Sequence, residues 1–233
     1  MHHRRGRSGA SVSPDRRAGR RHSGDHRMLE FPTIGLTGGI ACGKSTVIRL
    51  LERQGCKVLD ADQIAREVVA PGTPGLAEVL RVFGPEVQDP QTGGLNRNAM
   101  ADIAFEDPAA LRRLQELLHP RVYVRIAEET ARLRRRGPVV VEVPLLFETA
   151  GEEGFDQVWV VACSPGIQQK RASLRGWDQR EFSRRNKAQM PLSQKMDAAD
   201  LVIWNELSME WLKPQIDRAL RTLACLNQQL GGC

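Results

Sequence analysis

Residues 34–46, IGLTGGIACGKST, constrain this chain more than any other stretch. They contain Gly38-x-x-x-x-Gly43-Lys44-Ser45, the phosphate-binding loop pattern. From average residue frequencies, that pattern arises by chance in a chain of this length roughly once per hundred sequences. Its context narrows the reading further. FPTIGLTGG reads as a buried strand entering a Gly-rich loop. Residues 44–54 read as a helix, with Val47, Leu50 and Leu51 apolar at helical spacing and Gly55 ending it. Glycines let backbone N–H groups close around phosphate oxygens, and the helix start adds partial positive charge. The competing reading, an accidental Gly-rich turn, does not account for the strand–loop–helix context. Gly39, Ile40, Ala41, Cys42 and Gly43 are therefore expected to line an ATP site. Lys44 is expected to reach the β- and γ-phosphates, Ser45 to ligate Mg²⁺, and Thr46 to sit near the α-phosphate.

The rest of the chain supplies the frame. CKVLDAD (56–62) reads as a short strand with two carboxylates at its end, followed by a helix to about residue 69. Residues 76–83, 98–105 and 108–136 read as helices with no strand between them, although His119-Pro120 interrupts the last. Strand signals resume over 138–148 and 155–164, a polar Arg-rich helical stretch covers 166–189, DLVIWN is a last strand, and a helix follows from about 208 to 226. Strands alternating with helices imply a parallel sheet. The expected fold is α/β: a three-layer phosphate-binding-loop fold with five parallel strands and ligands at their carboxyl ends. The nucleotide-binding core spans 29–71 and 137–227, with a lid at about 165–190, and residues 72–136 form a helical insertion. Trp159 and Trp204 read as core strand residues, and Trp177 as an exposed lid residue.

Several polar residues carry candidate chemistry. Asp60 and Asp62 are two apart at a strand end, so both can point to one side of the sheet. A carboxylate there can orient an attacking hydroxyl and accept its proton, or hold Mg²⁺ through water. Asp62 can equally cap the helix beginning near Gln63, and spacing leaves both readings open. Arg171 and Arg175 share a helix face and, with Arg180, Arg184 and Arg185, could screen phosphate charge from a mobile lid; spacing alone favours a solvated charged face. Asp178 with Glu181 resembles a capping box. Glu142 could be an outer metal-site group or a polar neighbour of the phosphates. Cys42 is a small residue that fits its loop, or a thiol acidified by the adjacent helix start.

Charge misleads here. The whole chain carries +6, yet residues 1–27 hold eight Arg against two Asp, and the remaining 206 residues hold 26 basic and 26 acidic side chains. That basic segment has four apolar residues in no periodic pattern, so it is expected to be disordered. It reads as a start-site artefact, Met28 lying just before the first strand, ahead of a polyanion-binding arm or a targeting segment. The neutral remainder argues against nucleic acid as a partner, and no apolar run is long enough to span a bilayer. Five cysteines without C-x-x-C spacing suggest neither a disulfide framework nor zinc, and point to a reducing compartment, hence the cytoplasm.

A resemblance extends these readings. LTGGIACGKST, LDADQIAREVV, PG, FG, LHP, VPLLFE, KR…LR, RRNKAQM and K…AADLVIWN follow in this order from about Thr33 to Asn205. Only the first is specific alone; the ordered series closely resembles the bacterial dephospho-CoA kinases over all but the basic segment. The resemblance implies that ATP phosphorylates the ribose 3′-hydroxyl of dephospho-CoA, the last step of coenzyme A synthesis; a monomer or weak oligomer is expected. It implies that Asp62 is the general base and that Arg171, Arg175 and Arg185 occupy basic lid positions, Arg185 among the ATP-binding residues. It also implies that the helical insertion holds the pantetheine-bearing substrate near Arg66 and His119. Two departures stand out: A-C-G-K-S where G-S-G-K-S is usual, and Glu142 where Asp is frequent.

Overall fold

The computed structural model describes residues 31–230. The basic segment 1–28 and its expected disorder lie outside the described residues. Five strands, β1 Thr33–Gly38, β2 Lys57–Asp60, β3 Val139–Glu142, β4 Gln157–Ala162 and β5 Leu201–Trp204, form one parallel sheet in the order β2-β3-β1-β4-β5. Short runs such as VVVE and QVWVVA suit strands covered on both faces, where an unbroken apolar run replaces alternation. The connections from β1 and β4 leave toward opposite edges, so a crevice opens between their carboxyl ends, where open α/β sheets hold ligands.

Helices cover both faces. On one, Val47, Leu50 and Leu51 of α1 (Lys44–Arg53) and Leu212, Ile216, Ala219 and Leu223 of α9 (Met209–Leu230) pack on Ile34, Leu36, Trp159, Val161 and Ile203. On the other, Ala61 and Ile64 of α2 (Ala61–Val68) and Ile126 of α5 (Pro108–Leu133) cover Val139, Val141 and Val158. Each large apolar side chain buried this way stabilises the fold by about 1.5–3 kcal/mol. This is the expected three-layer architecture.

Helices α3 (Pro74–Phe83), α4 (Arg97–Glu106) and α5 follow one another without a strand, as the sequence indicates. They have their own core: Val69, Val79, Val87 and Met100, with Leu114 and Leu118 against them. Contacts of α2 with α3 and α5 tie this unit to the sheet. His119-Pro120 does not interrupt α5, contrary to expectation. Pro120 removes the N–H that would bond the Glu116 carbonyl, and the Arg121 guanidinium bonds the next carbonyl along, that of Leu117, at 2.6 Å.

Three other expectations need correction. The strand read over 138–148 ends at Glu142, and Pro144 begins a run of turns that accepts bonds from side chains instead of a ladder. Trp204 lies on the edge strand β5 and is 45% exposed, whereas Trp159 is fully buried. A helix unforeseen in the sequence, α8 (Leu192–Ala198), separates the Arg-rich helical stretch from β5. Among the described residues no helix is long and apolar enough to cross a membrane.

Candidate active site

The loop between β1 and α1 takes the shape its glycines permit. Gly43 has φ +84, and a Cβ there would collide with the Asn205 side-chain amide. Ala41 also has φ +57, a left-handed conformation that glycine adopts without strain. The Cys42 N–H bonds the Gly39 carbonyl at 3.3 Å. Those of Ile40, Ala41, Gly43, Lys44 and Ser45 have no protein acceptor among the described residues. Unpaired N–H groups lining a concave turn at a helix start form a cradle for phosphate oxygens. The residues present therefore fit a nucleotide polyphosphate.

Lys44 and three carboxylates share the mouth of this cradle. Asp60 and Glu142 are register partners at the ends of β2 and β3. Burial, chiefly, pushes the Glu142 carboxyl above the usual carboxylate range; Lys44 opposes this, while Asp60 and Asp62 add to it. Burial, chiefly, also lowers the proton affinity of Lys44, against the pull of Glu142. Glu142 is thus close enough to Lys44, Asp60 and Asp62 to feel all three charges.

The two aspartates divide differently from the sequence reading. The strand ends at Asp60, and Asp62 lies in the first turn of α2. Asp60 is the helix cap, its Oδ1 accepting from the N–H groups of Asp62 at 2.8 Å and Gln63 at 3.1 Å. The alternative in which Asp62 caps the helix is therefore excluded. The Asp62 carboxylate is exposed and has no hydrogen-bond or ion-pair partner among the described residues. Ser45 is exposed at the start of α1. Thr46 beside it accepts a long bond from Arg49, 3.4 Å.

The Arg-rich stretch forms α6 (Pro165–Ser173) and α7 (Gln179–Lys187). Asp178 caps α7 through the Glu181 N–H at 2.7 Å, as its spacing indicates. Ala172 and Phe182 pack on Ile40 and Ala41, so both helices sit directly against the loop. Arg171 does not extend into solvent: its Nη1 bonds the Cys42 carbonyl at 3.2 Å. Trp177, expected to be exposed, is half-buried between two guanidiniums, with Arg185 4.6 Å and Arg175 5.9 Å from its ring. Arg185 also pairs with Glu181 at 2.6 Å. The structure thus places Arg171, Arg175 and Arg185 on or beside the two helices packed against the loop.

Residues that spacing could not single out complete the surroundings. Gln168 bonds the Ile40 carbonyl at 2.8 Å, and Asn205 bonds that of Cys42 at 2.8 Å. Lys195 on α8 is fully buried and pairs with Glu148 at 2.8 Å, while its Nζ also bonds the Pro144 carbonyl at 3.3 Å. The only sequence signal for α8 was Leu192 and Met196 one turn apart. Cys42 is fully buried; a hydrogen bond from Cys163 is the chief influence lowering its thiol pKa, with Lys44 adding to it and burial opposing it, and Cys163 is raised in turn. With no exposed surface, Cys42 fits the reading of a small space-filling residue. His119 lies edge-on to Tyr123 at 6.2 Å, and Arg66 is exposed on the last turn of α2. A groove of about 830 Å³ lies between α2, α3 and α5 and not at the loop.

Comparison with known proteins agrees with this geometry. The family model for dephospho-CoA kinase (CoaE) matches residues 32–210. A dephospho-CoA kinase from Bdellovibrio bacteriovorus is 41% identical over 202 residues, covering 84% of this chain and 98% of that protein. One from Anaeromyxobacter dehalogenans is 44% identical over 193 residues, covering 82% and 91%. The crystal structure of TT1252 from Thermus thermophilus superposes with a TM-score of 0.69 at 35% identity, covering 84% of this chain and 97% of that one. A phosphate cradle at the sheet crevice, Arg-bearing helices against it and a helical insertion joined to the helix of Asp62 are here joined to sequence identity along nearly the whole of these relatives, and the chain belongs to the dephospho-CoA kinase family.

Proposed function

We propose that this chain transfers the γ-phosphoryl group of ATP to the ribose 3′-hydroxyl of dephospho-CoA, giving CoA and ADP as the last step of coenzyme A synthesis. One observation carries the reading beyond family membership. A cradle of N–H groups without protein acceptors, with Lys44, lies beside Glu142, which also feels the charge of Asp62, a carboxylate with no hydrogen-bond or ion-pair partner among the described residues. That pairs a phosphate site with a free proton acceptor, which a kinase needs and a nucleotide-binding regulator does not.

Phosphoryl transfer passes through a loose transition state, so catalysis rests on positioning and charge screening. In this reading the N–H groups of Ile40, Ala41, Gly43, Lys44 and Ser45 hold the β-phosphate region, and Lys44 bridges toward the γ-phosphate. Asp62 orients the acceptor hydroxyl and takes its proton. Arg171 and Arg175 screen the charge developing on the transferred group from the lid side, and Arg185 supports the nucleotide phosphates. Release of Arg185 from Glu181 and Trp177 would accompany lid closure over ATP, which excludes water from the reacting group.

Mg²⁺ fits the donor set. Ser45 offers an exposed hydroxyl beside the cradle, and the crowded charges of Asp60, Asp62 and Glu142 favour a cation. No group of three His, Cys, Asp or Glu is placed to hold a metal by itself among the described residues. The ion would therefore share its coordination with phosphate oxygens and water, and it would neutralise negative charge between the phosphates. Helices α3–α5 are the natural holder of the pantetheine arm, since they rest on α2, which carries Asp62.

The test is ADP formation from Mg-ATP with and without dephospho-CoA, with mass spectrometry of the product. A product one phosphate heavier, formed only with both substrates, is expected. ATP binding without transfer to dephospho-CoA would leave the phosphate site standing and remove this acceptor.

A further inference from the structure

Across a trans peptide bond, the carbonyl of one residue and the N–H of the next point in opposite directions. Whatever grips a carbonyl in the phosphate loop therefore also aims the following N–H. Two carbonyls of this loop are gripped from behind. Gln168 Nε2 on α6 donates to the Ile40 carbonyl at 2.8 Å. Asn205 Nδ2, just beyond β5, donates to the Cys42 carbonyl at 2.8 Å, and Arg171 adds a second bond there at 3.2 Å. The following N–H groups belong to Ala41 and Gly43, two of those with no acceptor in the protein among the described residues.

We infer that Gln168 and Asn205 are positioning residues for phosphoryl transfer, their buried amides pulling two loop carbonyls outward so that the N–H groups of Ala41 and Gly43 face the polyphosphate. The inference rests on the loop being the ATP phosphate site. Both side chains are nearly inaccessible, Gln168 at 5% and Asn205 at 6% exposure, and neither amide reaches solvent to act on substrate directly. Their fit to the loop is close. A Cβ on Gly39 would come within 2.8 Å of the Gln168 amide, and one on Gly43 would collide with that of Asn205. The second and third glycines of TGGIACG thus leave room for the amides as well as for phosphate. Preorganised donors of this kind are effective because they need not reorient during reaction. Without these amides, the Ile40 peptide loses its grip and the Cys42 peptide keeps only the longer bond from Arg171, so both aims loosen.

The test separates aim from general integrity. Gln168→Met keeps the side-chain length without a donor, and Asn205→Ala removes the second amide at the end of an edge strand, so it serves where Gln168→Met does not fold. Dissociation constants of the full chain for ADP and for adenosine are measured by calorimetry. The expected result is a rise in Kd for ADP of about tenfold or more in each variant, with adenosine changed less than about threefold, because only ADP carries the groups that the N–H cradle grips. Equal weakening of both ligands, or unchanged ADP affinity in a folded variant, would overturn the inference. If the wild-type chain binds ADP no better than adenosine, the phosphate-site reading itself fails, an outcome distinct from failure of the two amides.

Discussion

Asp60 and Asp62 stand two residues apart, yet the structure gives them different surroundings. Asp60 is engaged by two backbone N–H groups, and Asp62 by none of the protein's donors among the described residues. Asp60→Ala is expected to lower stability by about 1 kcal/mol, the usual value of a helix cap, as read from the urea midpoint. Asp62→Asn should leave stability and ATP affinity nearly unchanged while kcat falls by about 10²–10⁴-fold, the range for a positioned general base. Activity within a few-fold of wild type would remove that role. Lys44 adds a pH signature. Burial lowers its pKa from 10.5, so in the free enzyme it gives up its proton earlier than an ordinary lysine as pH rises. The alkaline limb of kcat/KM for ATP is therefore expected below pH 10.5, and should vanish in Lys44→Ala, whose activity is low throughout.

At the scale of elements, the short helix α8 is held by the pair of Lys195 with Glu148. Glu148 also accepts from the Met190 N–H at 2.8 Å, so the pair fastens the segment after α7 to the turns after β3. Burial raises the Glu148 pKa, but the bonds from Lys195 and Met190 outweigh it and the net shift is downward. A carboxyl depressed on folding contributes stability above its unfolded pKa, and that stability is lost as pH falls through the folded value. Acid should therefore loosen this junction below the ordinary glutamate range. Lys195→Met alone is expected to cost about 1–3 kcal/mol, because it leaves Glu148 without its partner and removes the bond to the Pro144 carbonyl. Lys195→Met with Glu148→Gln should recover much of that loss in urea unfolding; additive losses would show that the pair is not coupled. The sequence did not yield α8 because its buried inward residue is a lysine, which an apolar pattern cannot register. It did yield α7, because the Asp178 cap is a local bond three residues long.

Across the whole molecule, the neutral part of the chain carries the fold and the family match, residues 32–210, while the charge excess lies before it. A chain beginning at Met28 is expected to keep full activity, and a large loss would assign work to the basic segment. Binding should also be visible as stability. ADP at a hundred times its Kd adds about 2.7 kcal/mol. For a domain of 150–250 residues that raises Tm by about 5–11 °C. Lys44→Ala should lose most of this shift.

The sequence by itself determined what is local in this protein. Gly38, Gly43, Lys44 and Ser45 dictate a phosphate loop, apolar periodicity dictates α1 and the alternation of strands and helices, and the ordered motifs dictate the family. Each depends on backbone geometry or on contacts a few residues apart. Only the tertiary structure decided which aspartate caps α2, that Trp204 faces outward, and that Lys195 is buried. It alone brought Gln168 and Asn205, 128 and 163 residues from their carbonyl partners, behind the loop. A hydrogen bond between distant segments depends on where the chain crosses itself, and no spacing along the sequence encodes that crossing.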